Sequence, residues 1–276
     1  MAMFFSFDGV DGVGKSTQVQ LFCQWLAEGG RPPGLCRDPG TTPLGEQIRG
    51  ILLAPHDETP MSGRSDMLLY MAARAQLVDE VIRPALAEGK AVVSDRFLLA
   101  NIVYQGYGGG VDLATIRRVG AAAVDGVMPD CTFLLDMDPE LALGRVGRQL
   151  DRMERRGREY RDRLRAGFLA EARQMGESVH VVDAGRPIAD VQREIRDLAT
   201  QALAARAVQT PCCGGTSVLI GATGAQCANC RFAARLTLTM APESYKIPAA
   251  LILRSERNRR TFRLRILVVI LGRNAR

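Results

Sequence analysis

Asp8-Gly9-Val10-Asp11-Gly12-Val13-Gly14-Lys15-Ser16-Thr17 is the stretch on which the reading of this chain turns. Gly9, Gly14, Lys15 and Ser16 fill the fixed positions of G-x-x-x-x-G-K-[ST]. Residues 3–7 before it are an apolar run with strand character, and Val19, Leu21, Phe22, Trp25 and Leu26 after it recur at helical spacing. Strand, glycine loop and helix together predict a phosphate cradle. The glycines let several N–H groups converge on one anion, and the helix N-terminus adds partial positive charge. Lys15 is expected to reach the outer phosphates and the Ser16 hydroxyl to hold Mg²⁺. Val10, Asp11, Gly12, Val13 and Thr17 complete the loop that would line the nucleotide. Usage supports Lys15 too: the chain has three lysines, Lys15, Lys90 and Lys246, among 36 basic residues.

Working outward, 276 residues with 47% hydrophobic content hold one large domain or a domain with an appendage. The sequence shows no signal peptide, and no segment nears the roughly 18 consecutive apolar residues of a membrane span, so a cytoplasmic protein is expected. The net charge of +6 is unevenly placed: 12 basic and 2 acidic residues lie from Arg206 onward. The preceding part is therefore net acidic, and its charge gives no reason to expect nucleic-acid binding. Cysteines divide in the same way. Cys23, Cys36 and Cys131 are scattered core thiols, whereas Cys212, Cys213, Cys227 and Cys230 cluster in the tail.

Strands are expected near residues 4, 35, 93, 133 and 180, alternating with helices over 44–53, 64–88, 98–105, 112–125 and 188–205. That alternation is the pattern of an α/β fold with a doubly wound, five-stranded parallel sheet. Ligands of such sheets bind beyond the carboxyl ends of the strands, where Asp95 and Arg96 fall. The loop after the second strand holds Arg37, Asp38, a Pro-Gly turn, Thr41 and Thr42, more cationic and hydroxyl chemistry than a turn requires. Gly106-Tyr107-Gly108-Gly109-Gly110 reads as a flexible break. Arginines at 145, 148, 152, 155, 156, 158, 161, 163 and 165 read partly as a solvated face, with Gly147 and Gly157 framing a segment able to close over phosphates. His56 and His180 are the only histidines, neither beside a nucleophile pattern, and no HExxH or N-K-x-D motif is present. The residue types instead suit direct phosphoryl transfer, which asks mainly for positioning and charge neutralisation.

Residues 1–205 resemble thymidylate kinases of the bacterial type. The pieces that carry the resemblance are the stretch from Phe7 to Thr17, the loop from Arg37 through Gly45, and Leu69-Tyr70-Met71-Ala72-Ala73-Arg74-Ala75-Gln76. They continue with Asp95-Arg96-Phe97, Asn101, Tyr104-Gln105, and Leu150-Asp151-Arg152-Met153-Glu154. All occur in the family's order. The resemblance implies a P-loop nucleoside-monophosphate-kinase-like fold, ATP and Mg²⁺, and phosphorylation of dTMP to dTDP on the way to dTTP. A homodimer is the expectation it carries. It implies that Tyr70 stacks on thymine and that Arg74, Asn101, Tyr104 and Gln105 belong to the base-contact region. It has Arg37 and Arg96 hold the acceptor phosphate, and Asp11 meet the acceptor's sugar hydroxyl or a metal-linked water. Asp95 joins Ser16 as a candidate metal ligand. Glycine at position 12 matches members whose closing segment supplies the catalytic arginine, with Arg148 and Arg152 as candidates. Two departures are Asp8, where the family more often has Glu, and Asp38-Pro39-Gly40-Thr41-Thr42, where Glu-Pro-Gly-Gly-Thr is usual. Another nucleoside-monophosphate or deoxynucleoside kinase, and a nucleotide-binding P-loop switch, are the competing readings.

Residues 206–276 have no counterpart in that family. Cys213, Cys227 and Cys230 would be the ligands of a degenerate zinc ribbon, although the adjacent Cys212-Cys213 pair is poorly suited to one tetrahedron. A disordered basic extension and a segment under no folding constraint stand beside that reading.

Overall fold

The structure, a computed structural model, describes residues 2–54, 60–145 and 157–209, with the strands of residues 218–269 beyond them. In chain order the elements are β1 (Met3–Asp8), α1 (Lys15–Glu28), β2 (Gly34–Arg37), α2 (Pro43–Leu53), α3 (Gly63–Leu77) and α4 (Arg83–Ala87). There follow β3 (Ala91–Asp95), α5 (Leu98–Asn101), α6 (Leu113–Val124), β4 (Cys131–Asp136), α7 (Pro139–Gly144), α8 (Arg158–Met175), β5 (Val179–Asp183) and α9 (Ile188–Gln209). The sheet runs β2-β3-β1-β4-β5, every pair parallel. β1 is central and buried along its whole length, which explains why it reads as a nearly continuous apolar run, interrupted by Ser6, rather than an alternating one. Phe5, Phe7, Phe22 and Phe133 pack with ring centroids 5.0–6.1 Å apart, locking α1 onto β1 and β4.

Sheet order places the site. From β1 the chain goes to the edge strand β2, returns to β3 beside β1, and then crosses to β4 on the other side. The loops after β1, β2 and β3 therefore open together at one rim, the crevice where such sheets take ligands. In register, Phe7 lies opposite Asp95, and Arg37 lies opposite Asp95 from the other side. The Arg96 N–H donates to the Phe7 carbonyl at 2.9 Å, so the β3 loop starts against the P-loop strand.

Two expected features differ. The helix expected over 64–88 is α3 and α4 joined by a widened turn, Val78–Ile82. Pro84 has no N–H to give to the preceding turn, and the helix relaxes just before it. The expected break at 106–110 is instead tight packing. α5 continues as a widened turn, Ile102–Gly108, and Gly110 and Val111 close it by donating to the Gly106 and Gln105 carbonyls. A Cβ at Gly106 would stand 2.3 Å from the Leu113 side chain, so the glycine admits α6.

The chain divides into two compact units, Met1–Ala199 and Thr200–Arg276. In the second, β6 (Val218–Gly221), β7 (Gly224–Cys227) and β8 (Ala233–Arg235) form an antiparallel sheet, and β9 (Ala250–Asn258) pairs antiparallel with β10 (Thr261–Val269). Cys227 ends β7; Cys213 and Cys230 lie outside the described residues.

Candidate active site

The loop after β1 turns on three glycines with positive φ: Gly9 at 137°, Gly12 at 85° and Gly14 at 94°. Gly9 is the most constrained, because a Cβ there would sit 2.4 Å from the Leu135 carbonyl oxygen. Gly14 is the left-handed residue from which α1 starts, so the first N–H groups of a 14-residue helix face the loop. Lys15 turns inward and is buried. Its ammonium donates to the Val10 carbonyl at 2.8 Å and the Gly9 carbonyl at 3.1 Å, and lies 3.6 Å from Asp11. Burial and the nearby Arg96 charge lower its pKa. A cleft of about 880 Å³ opens over this loop, lined by residues 11–18, Arg37, Arg49, Asp95, Arg96, Arg145 and residues 184–188.

A second cavity, about 130 Å³, adjoins it and is lined by Tyr70, Arg74, Asn101, Tyr104 and Gln105 among others. Its floor is a hydrogen-bonded chain. Arg74, 2% exposed, donates from Nε to Asp38 at 2.6 Å and from Nη1 to the Asn101 side-chain Oδ1 at 2.6 Å, and its guanidinium lies over the Phe97 ring. Asn101 then donates to Gln105 at 2.6 Å, and Gln105 to Asp66 at 2.9 Å. Each amide has one orientation in which this chain is satisfied, so the cavity offers fixed polar groups. Tyr70 is half-buried and packs against Ile48, Leu52 and Ala73, which ties its ring to α2. Burial pushes the Asp38 carboxyl up against the pull of Arg74, and its Oδ1 finds no partner among the described residues.

Asp11, Asp38, Arg49 and Arg96 line both cavities. Arg96 donates to Asp11 at 2.5 Å and to the Gly9 carbonyl at 3.0 Å, with its guanidinium 5.0 Å from the Tyr104 ring centroid. The Tyr104 hydroxyl donates to the other Asp11 oxygen at 3.0 Å. Burial alone would raise the Asp11 carboxyl, but Arg96 and Lys15 outweigh it and hold Asp11 below the usual carboxylate range. Arg96 itself has φ 70°, a conformation that non-glycine residues adopt at a cost of about 1–3 kcal/mol. Directly beneath, Asp8 is fully buried. Burial, opposed by Arg96 and Lys15, pushes its carboxyl up to about 6.

The residues expected to act together are thus brought to one rim: the P-loop, Arg37, Asp95 and Arg96 in the larger cleft, and Tyr70, Arg74, Asn101, Tyr104 and Gln105 in the smaller. Arg37 is exposed and forks onto Glu46 at 2.9 and 3.1 Å. Arg148 and Arg152 lie outside the described residues. Sequence reasoning missed Arg49, which reaches from α2 to the Pro39 carbonyl at 3.1 Å. Burial and the Arg37 charge lower its pKa, so Arg37, Arg49 and Arg96 concentrate positive charge where the cavities meet. The available signal was an arginine next to Ile48 and one turn before Leu52, on the inward side of an amphipathic helix. Arg145, whose guanidinium donates to the Ala184 carbonyl at 3.2 Å, and the turn 184–188 were also missed as cleft walls.

For a divalent metal, the exposed Ser16 and the half-buried Asp95 face the same cleft. No cluster of three or more His, Cys, Asp or Glu suited to a metal occurs among the described residues. A hydroxyl and one carboxylate match a cation held chiefly by substrate phosphates and water, as Mg²⁺ usually is.

Comparison with known proteins agrees with this geometry. The family model described as thymidylate kinase matches residues 7–195. The thymidylate kinase of Symbiobacterium thermophilum is 45% identical over 207 residues, 75% of this chain and 96% of that relative. That of an Exiguobacterium species is 44% identical over 209 residues, 75% and 98% of the two chains. The crystal structure of thymidylate kinase from Ehrlichia chaffeensis superposes with a TM-score of 0.58 at 32% identity, covering 72% of this chain and 98% of its own.

Proposed function

The chain belongs to the thymidylate kinase family, and from that premise we propose that it transfers the terminal phosphoryl group of ATP to dTMP, giving ADP and dTDP. The observation that carries the reading is the sharing of Asp11, Arg49 and Arg96 by the two cavities. It brings a P-loop and a pocket with fixed hydrogen-bonding groups to a common, arginine-rich boundary. A binding switch needs only the first of these cavities.

In this reading the loop N–H groups and the start of α1 bind the donor phosphates, and Lys15 neutralises their charge. Arg96, fixed by Asp11 and the Gly9 carbonyl, sits where donor and acceptor phosphates meet, with Arg49 and Arg37 completing the acceptor's anion site. Asp11, kept ionised, accepts from the acceptor's sugar hydroxyl. Arg74, Asn101 and Gln105 present the edge-reading groups, and Tyr70 supplies the stacking face. Ser16 and Asp95 would hold Mg²⁺, which supplies charge neutralisation across the phosphates when bound. Arg148 and Arg152 are the arginines assigned to charge developed in transfer. Family resemblance makes a homodimer the proposed assembly.

Direct transfer requires both substrates to be bound at once. Initial rates over a grid of ATP and dTMP concentrations should give intersecting reciprocal lines. Parallel lines would mean a phosphorylated enzyme intermediate and overturn the mechanism.

A further inference from the structure

The acceptor pocket takes three of its groups, Asn101, Tyr104 and Gln105, from α5 and the widened turn that continues it. A widened turn of this kind is rare and occurs mostly as a single turn inserted in an α-helix, frequently at functional sites. Its outer side is covered by one face of α8, at helical spacing. Gly108 lies against Tyr160 and Leu164, where a Cβ would come within 2.8 Å of either side chain. Next along α8, Gly167 makes room for the Tyr107 ring; a Cβ there would stand 2.7 Å from Tyr107 Cγ. Phe168 meets Tyr104 edge to face, ring centroids 6.1 Å apart. One turn beyond is Glu171, with a side chain that is 0% exposed. It accepts from the Tyr107 hydroxyl at 3.0 Å, and each of its oxygens accepts from Arg117 Nη2 at 2.8 Å. Arg117 comes from α6 and also donates to Gln174.

Three elements therefore meet on one buried carboxylate, which cannot leave its partners without stranding a charge. We infer that Glu171, through Tyr107, is a positioning residue for the acceptor pocket: it fixes the widened turn against α8 and so sets where Tyr104 and Gln105 stand. None of these clamp residues lines either cavity, so the effect is indirect. Among the described residues the donor loop meets this turn through Asp11 at the Tyr104 hydroxyl, and the bonds that hold Glu171 come instead from Tyr107 and Arg117. Loss of the clamp should therefore weaken dTMP binding and leave ATP binding alone, a split that general destabilisation does not produce.

The inference rests on the dTMP kinase reading, and the test separates the two. Tyr107→Phe removes one hydroxyl while leaving the ring in the Gly167 niche and Arg117 on Glu171. We expect its KM for dTMP to rise about threefold to tenfold, with kcat and the KM for ATP within about twofold of the parent. Glu171→Gln should shift the same parameter in the same direction, and the double variant should add less than the sum of the two. An unchanged KM for dTMP in folded Tyr107→Phe, or an equal rise for ATP, would overturn the inference. Should Tyr107→Phe not fold, Glu171→Gln is read by the same criteria, and failure of both to fold would make the clamp structural and overturn it too. Absence of dTMP turnover in the parent protein would instead count against the function itself.

Discussion

Lys15 and Asp8 show how single side chains are set by what surrounds them. Lys15 is held by two loop carbonyls and by proximity to Asp11, so its ammonium is aimed before any phosphate arrives. Lys15→Ala should lower kcat/KM by about a thousandfold, with little change in thermal midpoint. Steady-state kinetics beside a melting curve checks it. Asp8 has the opposite character: among the described residues its buried Oδ1 has no partner, and the Ser6 hydroxyl reaches its other oxygen at 3.3 Å. Its pKa in the fold, about 6, lies above the ordinary 3.8. The folded state thus binds this proton more tightly than the unfolded chain. The stabilisation is complete below about pH 4 and is lost as pH rises through 6. Asp8→Asn should remove that loss, on the order of 3 kcal/mol between those limits. Unfolding of both proteins at pH 4.5 and 7.5 checks it; identical pH dependence would contradict the assignment.

Among the elements, the P-loop and β1 were the most legible in sequence, because their chemistry is local. A nearly continuous apolar strand, a glycine loop and a helix are each encoded by their own residues. The widened turns were not legible. That at Val78–Ile82 depends on Pro84 beyond it, and that at Ile102–Gly108 on side chains of α6 and α8 distant in sequence. For the same reason Gly106 and Gly108 read as flexibility when they serve close packing. Arg49 was missed because an arginine on an exposed helix is usually solvated; here it reaches the Pro39 carbonyl and becomes a wall of both cavities. At this scale Gly9→Ala is a direct test of the loop. Its φ of 137° and the Leu135 carbonyl leave no room for a methyl group. The variant should lose about 2 kcal/mol or more of stability. It should also lose nearly all ATP binding, measured by calorimetry.

On the scale of the whole molecule, the family match ends at residue 195 and the first compact unit at Ala199. We propose residues 1–205 as the catalytic part and 206–276 as an addition, a boundary a few residues beyond both of these ends. A chain truncated after Ala205 should retain kcat and both KM values within about twofold; a loss of tenfold or more would mean that the tail contributes to the site. No helix among the described residues is long and apolar enough to cross a membrane. The central claim concerns the two cavities and their shared boundary, and acceptor choice reports on it most directly. ADP release should be measured with ATP and, in turn, dTMP, dUMP, dCMP and dGMP. The arrangement of Tyr70, Arg74, Asn101 and Gln105 predicts the highest kcat/KM for dTMP; equal or faster turnover of dCMP or dGMP would contradict it.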